Sequence, residues 1–179
     1  MVENNYILSW SKEYFLKWSD FQAEVNPAVF EDSFSKITYH HTWTVTSEIN
    51  NGEVYFLISD IKLETQFLKH LSWVRLLNAS SNLLMHEQGH FDLAEFMRPS
   101  FEDKIAKQFC EIKFQTHGKN EEQRKQSARD NSNLLILKEL EKCLIILDKE
   151  RQKYDEVTQF GKNFLKQNEY NKNFHKLRI

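Results

Sequence analysis

Residues 86–90 read His-Glu-Gln-Gly-His, a spacing that carries a chemistry. On an α-helix His86 and His90 lie on one face, about 40° apart around the axis and about 6 Å along it. Two imidazoles so placed can grip one Zn²⁺. Glu87, one step round from His86, can reach a water on that metal and act as general base. Residue frequencies alone give a chance match in roughly 3% of chains of this composition, so the context has to carry weight. The flanks Leu83-Leu84-Met85 and Phe91 are uncharged and suit a buried helix. Gly89 costs roughly 1 kcal/mol against Ala inside a helix, and a helix keeps such a residue more readily where another group comes close. Asp92, two places after His90, puts a charge on the C-terminal flank of the segment. The plain alternative is a surface helix with two incidental histidines.

The elements that must position these residues are legible in outline. Residues 36–48 alternate, with Ile37, Tyr39, His41, Trp43 and Val45 on one face, which predicts a strand. Asn50-Asn51-Gly52 predicts a hairpin turn, and residues 54–63 the return strand, with 61–70 extending it or entering a second hairpin. From residue 71 the spacing becomes helical. Asn78-Ala79-Ser80-Ser81-Asn82 caps a helix predicted to carry the His-Glu segment to about Met97, where Pro99 interrupts it. A further helix is expected over 100–114. The longest helical pattern spans 121–153, with Leu134, Leu137, Leu140, Leu144 and Leu147 as its apolar stripe, broadened by Leu135, Ile136, Ile145 and Ile146. Gly161 is expected to cap its end, and residues 166–179 to form a polar tail.

Composition narrows the class. At 179 residues one domain is expected, its core over about 6–165. The net charge of −2 argues against a nucleic-acid partner. No run of 18 apolar residues exists, so no membrane span is expected. Fourteen Phe and four Trp argue against disorder, and four Gly with two Pro favour long helices. Cys110 and Cys143 are read as free buried thiols rather than as a disulfide. Residues 1–5 show no basic or apolar leader pattern, so a cytoplasmic location is expected unless a leader was removed. The fold class expected is α+β, a small antiparallel sheet packed on the His-Glu helix and a long C-terminal helix.

The His-Glu segment resembles the zincins, zinc peptidases bearing His-Glu-x-x-His on an active-site helix. The longer string from His86 to Asp92 resembles a domain-of-unknown-function family of predicted secreted zinc-dependent proteases. Trp18-Ser19-Asp20-Phe21 resembles that family's early Trp-x-Asp-Phe motif, and the stretch from Tyr154 to Gly161 its late Tyr-Asp-x-x-Thr-x-His-Gly motif. Two departures stand out. No leader is visible, and Phe160 occupies the place of the late motif's His. Phe cannot bind zinc, so if that His is a ligand in relatives, this chain lacks it.

A catalytic zinc takes three protein ligands and keeps one open position. His86 and His90 supply two. Glu95 and Asp92 point to other sides of the helix, so the third comes from elsewhere. Asp155 is the first choice, as the Asp of the late motif at the end of the long helix. Glu111, Asp148, His117 and His70 are the others. The plainer reading of Asp155 is a helix-terminal acid or a partner to a ligand His. Tyr154 is a candidate donor to an oxyanion, against the plainer reading of a packed phenol. The function these residues imply is zinc-dependent peptide hydrolysis, its peptide or protein substrate paired along a strand of the hairpin. The alternative is an inactive metal-binding or interaction domain of the same type.

Overall fold

The structure, a computed structural model, describes residues 6–179; residues 1–5, where the leader expectation falls, lie outside the described residues. The architecture is α+β. In chain order come β1 (Ile7–Ser9), β2 (Ser33–Phe34), β3 (Ile37–Asn50), β4 (Glu53–Leu68), β5 (Trp73–Val74), α1 (Ser81–Phe109), β6 (Phe114–Gln115), α2 (Glu121–Thr158) and α3 (Phe164–His175). One sheet has the order β1-β4-β3, with β6 also paired to β4, and β2 pairs with β5 in a second. The β1–β4 partners run antiparallel from Ile7↔Leu68, those of β4–β6 from Tyr55↔Gln115, and those of β2–β5 from Ser33↔Val74.

The β3–β4 hairpin closes on Asn51-Gly52, with φ of +52° and +82°. Positive φ at both central residues is what the tight, right-twisting hairpin turn requires. β4 continues past residue 63 and changes phase on the way. Phe56 and Ile58 are buried before Asp60; Ile61, Leu63, Thr65 and Phe67 are buried after it. Asp60 takes φ +50° in mid-strand, and one such bulged residue moves the buried set from even to odd positions.

Three expectations about the helices need correction. Pro99 does not end α1, which runs 29 residues straight through it. The lost hydrogen bond and ring clash cost about 3 kcal/mol; buried Phe91, Leu93 and Ala94 before it, and Phe101 and Ile105 after it, hold the helix on both sides. The expected second helix is thus the rear of α1, and Phe114 belongs to β6. In α2 the buried stripe is Ala128, Ser132, Ile136, Leu140, Cys143, Leu147 and Tyr154, whereas Leu134, Leu137 and Ile145 are exposed. Ile136, Leu140 and Leu147 are buried as expected, while small and polar members hide the rest of the stripe from an apolar scan. Finally, the expected polar tail contains α3, with Gln167 and Phe174 buried and Asn163 capping it by accepting from the Lys166 N–H. Both cysteines are free, but Cys110 is exposed.

The chain divides into two compact units. The first comprises Met1–His40, Glu64–Arg98 and Ile146–Ile179. Its core includes the aromatic series Phe21, Phe67 and Phe91, with ring centroids 5.2 and 5.9 Å apart in turn. The second comprises His41–Leu63 and Pro99–Ile145. There Phe56 stacks on Phe114 at 5.2 Å, and Trp43 Nε1 donates to Ser132 Oγ at 2.8 Å. No helix among the described residues is long and apolar enough to cross a membrane.

Candidate metal centre

The first unit holds the residues of chemical interest. One turn of α1 separates His86 and His90, both buried, with ring centroids 4.8 Å apart. Asp155, in the last turn of α2, brings Oδ1 to 2.9 Å from Nε2 of each ring. These three could hold a metal ion, their ligand atoms lying within 4.8 Å of one another. The group lines a cavity of about 870 Å³, so it is reachable from solvent. Of the other third-ligand candidates, Asp148 lines the same cavity but is not in the group. His70 meets Tyr6 edge-on at 5.8 Å instead. Glu111 and His117 belong to the second unit and are not in the group either.

The surroundings of His86 fix which nitrogen is free. Its Nδ1 faces Gln167 Oε1 at 3.2 Å and Thr158 Oγ1 at 3.3 Å. The Gln167 amide nitrogen donates to Tyr154 Oη at 2.7 Å and Asn171 Oδ1 at 2.9 Å, so its oxygen must face the ring. Thr158 spends its proton on Tyr154 O at 2.6 Å. Two acceptors at Nδ1 place the proton there and leave the Nε2 lone pair aimed at the Asp155 carboxylate. A lone pair and a carboxylate oxygen at 2.9 Å repel unless a cation or proton lies between them, so this donor set fits a metal. Burial lowers the His90 pKa against the opposing hydrogen bond to Asp155. Burial works to raise the Asp155 carboxyl, but the contacts with the His86 and His90 rings outweigh it and hold the group well below the usual carboxylate range. A neutral imidazole and an ionised carboxylate are the ligating forms.

Glu87 faces the same cavity and is buried. Its Oε1 accepts from Ser33 Oγ at 2.6 Å, and its Oε2 from Ser35 Oγ. Sequence reasoning missed both serines. The available signal was Ser-x-Ser in an extended segment, which puts both hydroxyls on one face.

Tyr154 is not placed as an oxyanion donor. It is fully buried, does not line the cavity, and donates to the His86 carbonyl at 3.1 Å. Its ring stacks on His86, with centroids 4.6 Å apart and planes 4° from parallel. Burial pushes its phenol far above the usual range, so it stays a donor. This contact explains Gly89: a Cβ there would fall 1.9 Å from Tyr154 Oη. The other polar residues of the segment are also accounted for. Gln88 accepts from the Leu16 N–H at 2.7 Å and donates to Asp92 at 3.0 Å. Asp92 also accepts from Trp10 Nε1 at 2.8 Å and Arg178 Nη2 at 2.5 Å.

The outer motifs differ in what they do. Asp20 of the early one is buried, accepting from Tyr14 Oη at 2.9 Å and pairing with Lys69 at 3.0 Å, and gives nothing to the metal group. The late one ends α2 in three left-handed residues, Gln159, Phe160 and Gly161. Gly161 is also needed for space, since a Cβ would sit 3.0 Å from His86 Cβ. Phe160 lines the cavity, its ring 6.2 Å from that of His86, where it can pack but not ligate. No family model, no curated protein and no solved structure matches the chain.

Proposed function

We propose that the chain is a zinc-dependent peptidase of the zincin type. The observation that carries this reading is the meeting of His86 Nε2, His90 Nε2 and Asp155 Oδ1, with Glu87 of the same helix facing the same cavity. Two imidazoles and a carboxylate suit zinc and leave a position for water or substrate. Zinc bound there would supply Lewis acidity, polarising a substrate carbonyl and acidifying water. Glu87 takes a proton from the attacking water on a carboxylate oxygen and delivers it to the leaving amine. Ser33 and Ser35 hold that carboxylate in its orientation until water displaces one of them. Gln167 and Thr158 hold His86 with Nε2 toward the cavity. The substrate is a peptide or protein, and β3, at an edge of its sheet, is where an extended chain can add as a strand.

Two observations favour a second reading, a metal-binding relative without activity. Both Glu87 oxygens are already occupied by serine hydroxyls, and Phe160 replaces the His of the resembled motif. Glu87→Gln separates the two. Elemental analysis of wild type and variant, each expressed with added zinc, should give equal zinc contents, while hydrolysis of a mixed peptide pool falls by about 10²–10⁴-fold in the variant. Absence of zinc from the wild type sinks both readings. Zinc with no hydrolysis by either protein selects the inactive relative.

A further inference from the structure

Arg151 enters the cavity one turn before Asp155 on α2. Its guanidinium lies over the Phe34 ring at 5.7 Å, donates from Nη2 to Ser35 O at 2.8 Å, and points Nε at His90 Nδ1 from 3.4 Å. Among the described residues, Nη1 has only Asp148, at 4.0 Å, and that side chain is 69% exposed. An exposed partner at that range contributes little and is displaced at little cost. Arg151 thus brings a permanent positive charge, with donors to spare, to the cavity that holds His86, Glu87 and His90.

Arg151 is therefore an anion-binding group placed beside the residues that could hold a metal. The wall beside it is apolar: Val29, Phe30, Phe34, Trp73 and Leu83 line the same cavity, with Phe30 fully exposed and Phe34 40% exposed. Exposed aromatic surface at a cleft marks a place where an apolar group binds.

We infer that Arg151 binds the free α-carboxylate of a peptide whose last side chain is apolar, so that the protein releases single C-terminal residues. This rests on the peptidase reading. The reach fits. From Arg151 Nε to His90 Nε2, which could hold the metal, is a 3.4 Å gap and one imidazole ring. Between a scissile carbonyl and a terminal carboxylate stand one nitrogen and one α-carbon. The step is hydrolysis: water adds to the carbonyl, the C–N bond breaks, and Glu87 carries one water proton to the departing amine. The products are a shortened peptide and a free amino acid.

The test measures binding apart from turnover. Zinc-loaded Glu87→Gln protein is titrated by calorimetry with N-acetyl-phenylalanine and with its amide. The acid should bind at least about tenfold tighter, as expected for charge-assisted bonds to guanidinium. That preference should vanish in Glu87→Gln/Arg151→Met and survive in part in Glu87→Gln/Arg151→Lys. Zinc content should be unchanged in the Met variant, so that a lost preference reports the carboxylate site and not a collapsed metal group. Equal affinity for acid and amide, or a lowered zinc content in the Met variant, overturns the inference. In the wild type, a peptide ending in Phe should lose free Phe while its amidated form is spared. Equal cleavage of both leaves the peptidase reading standing and removes Arg151 from it. Acid-selective binding with cleavage of neither keeps the carboxylate site and removes the peptidase reading.

Discussion

Gly89 sits in the middle of α1, where helix propensity alone would prefer almost any other residue. The reason it is Gly lies 65 positions downstream, in the phenol of Tyr154. Adding a Cβ would drive it to 1.9 Å from Oη and 2.7 Å from Cζ. The ring cannot retreat easily, since it is wedged between His86 at 4.6 Å and Tyr170 at 4.9 Å. Gly89→Ala should therefore destabilise the protein, despite its better helix propensity, by about 3 kcal/mol, at the upper end of overpacking costs. Gly89→Ala/Tyr154→Phe should recover only part, because Cζ stays too close. Denaturant unfolding of both variants checks this; a stabilised Gly89→Ala would show that the ring is free to move. The sequence announced the anomaly of Gly89 but not its cause. Spacing within one helix is local and legible, whereas the partner arrives from another element. The same holds for Glu87, whose role was suggested by its neighbours, while its two serine donors lie more than 50 residues away.

Among the elements, legibility followed period. The β3–β4 hairpin could be read because alternation and an Asn-Gly turn agree, but the bulge at Asp60 carries no composition signal. The end of α2 was legible through Gly161 and the late motif, and its core stripe only in part: Ile136, Leu140 and Leu147 are buried as expected, but Ser132 and Cys143 occupy buried positions that carry no apolar signal. α3 was missed for a similar reason. It is polar in composition, yet it inserts Gln167, fully buried, beneath His86. That residue gives α3 a role at the candidate metal centre. Its Oε1 accepts from His86 Nδ1 and so keeps the Nε2 lone pair toward Asp155. Gln167→Leu keeps much of the volume and removes the acceptor. Zinc affinity should fall by about 10- to 100-fold, the range for losing a partner behind a metal-bound His. Competition titration with a zinc chelator gives the number; an unchanged affinity would show that Thr158 Oγ1, at 3.3 Å, suffices alone.

At the scale of the molecule, the first compact unit is closed by contacts that no local pattern can reveal. Arg178 donates to the carbonyls of Ser11, Lys12 and Tyr14, lies 5.0 Å from the Trp10 ring and 4.1 Å from the Phe15 ring, and pairs with Asp92 at 2.5 Å. Asp92 is two residues beyond His90, so this clamp bears on the helix that carries His86 and His90, which could hold a metal ion. Both side chains of the pair are 7% exposed. Salt therefore screens it little, and removing one partner strands a buried charge. Arg178→Ala should cost about 3–5 kcal/mol, while Arg178→Met/Asp92→Asn should cost clearly less, because neither charge is left alone. Unfolding of the single and double variants, at low and high ionic strength, distinguishes this from a surface pair, whose loss costs about 1 kcal/mol or less and fades with salt. If the double variant is as unstable as the single, the clamp works through its contacts to the 11–14 carbonyls and the Trp10 and Phe15 rings, and Asp92 is only one acceptor among several.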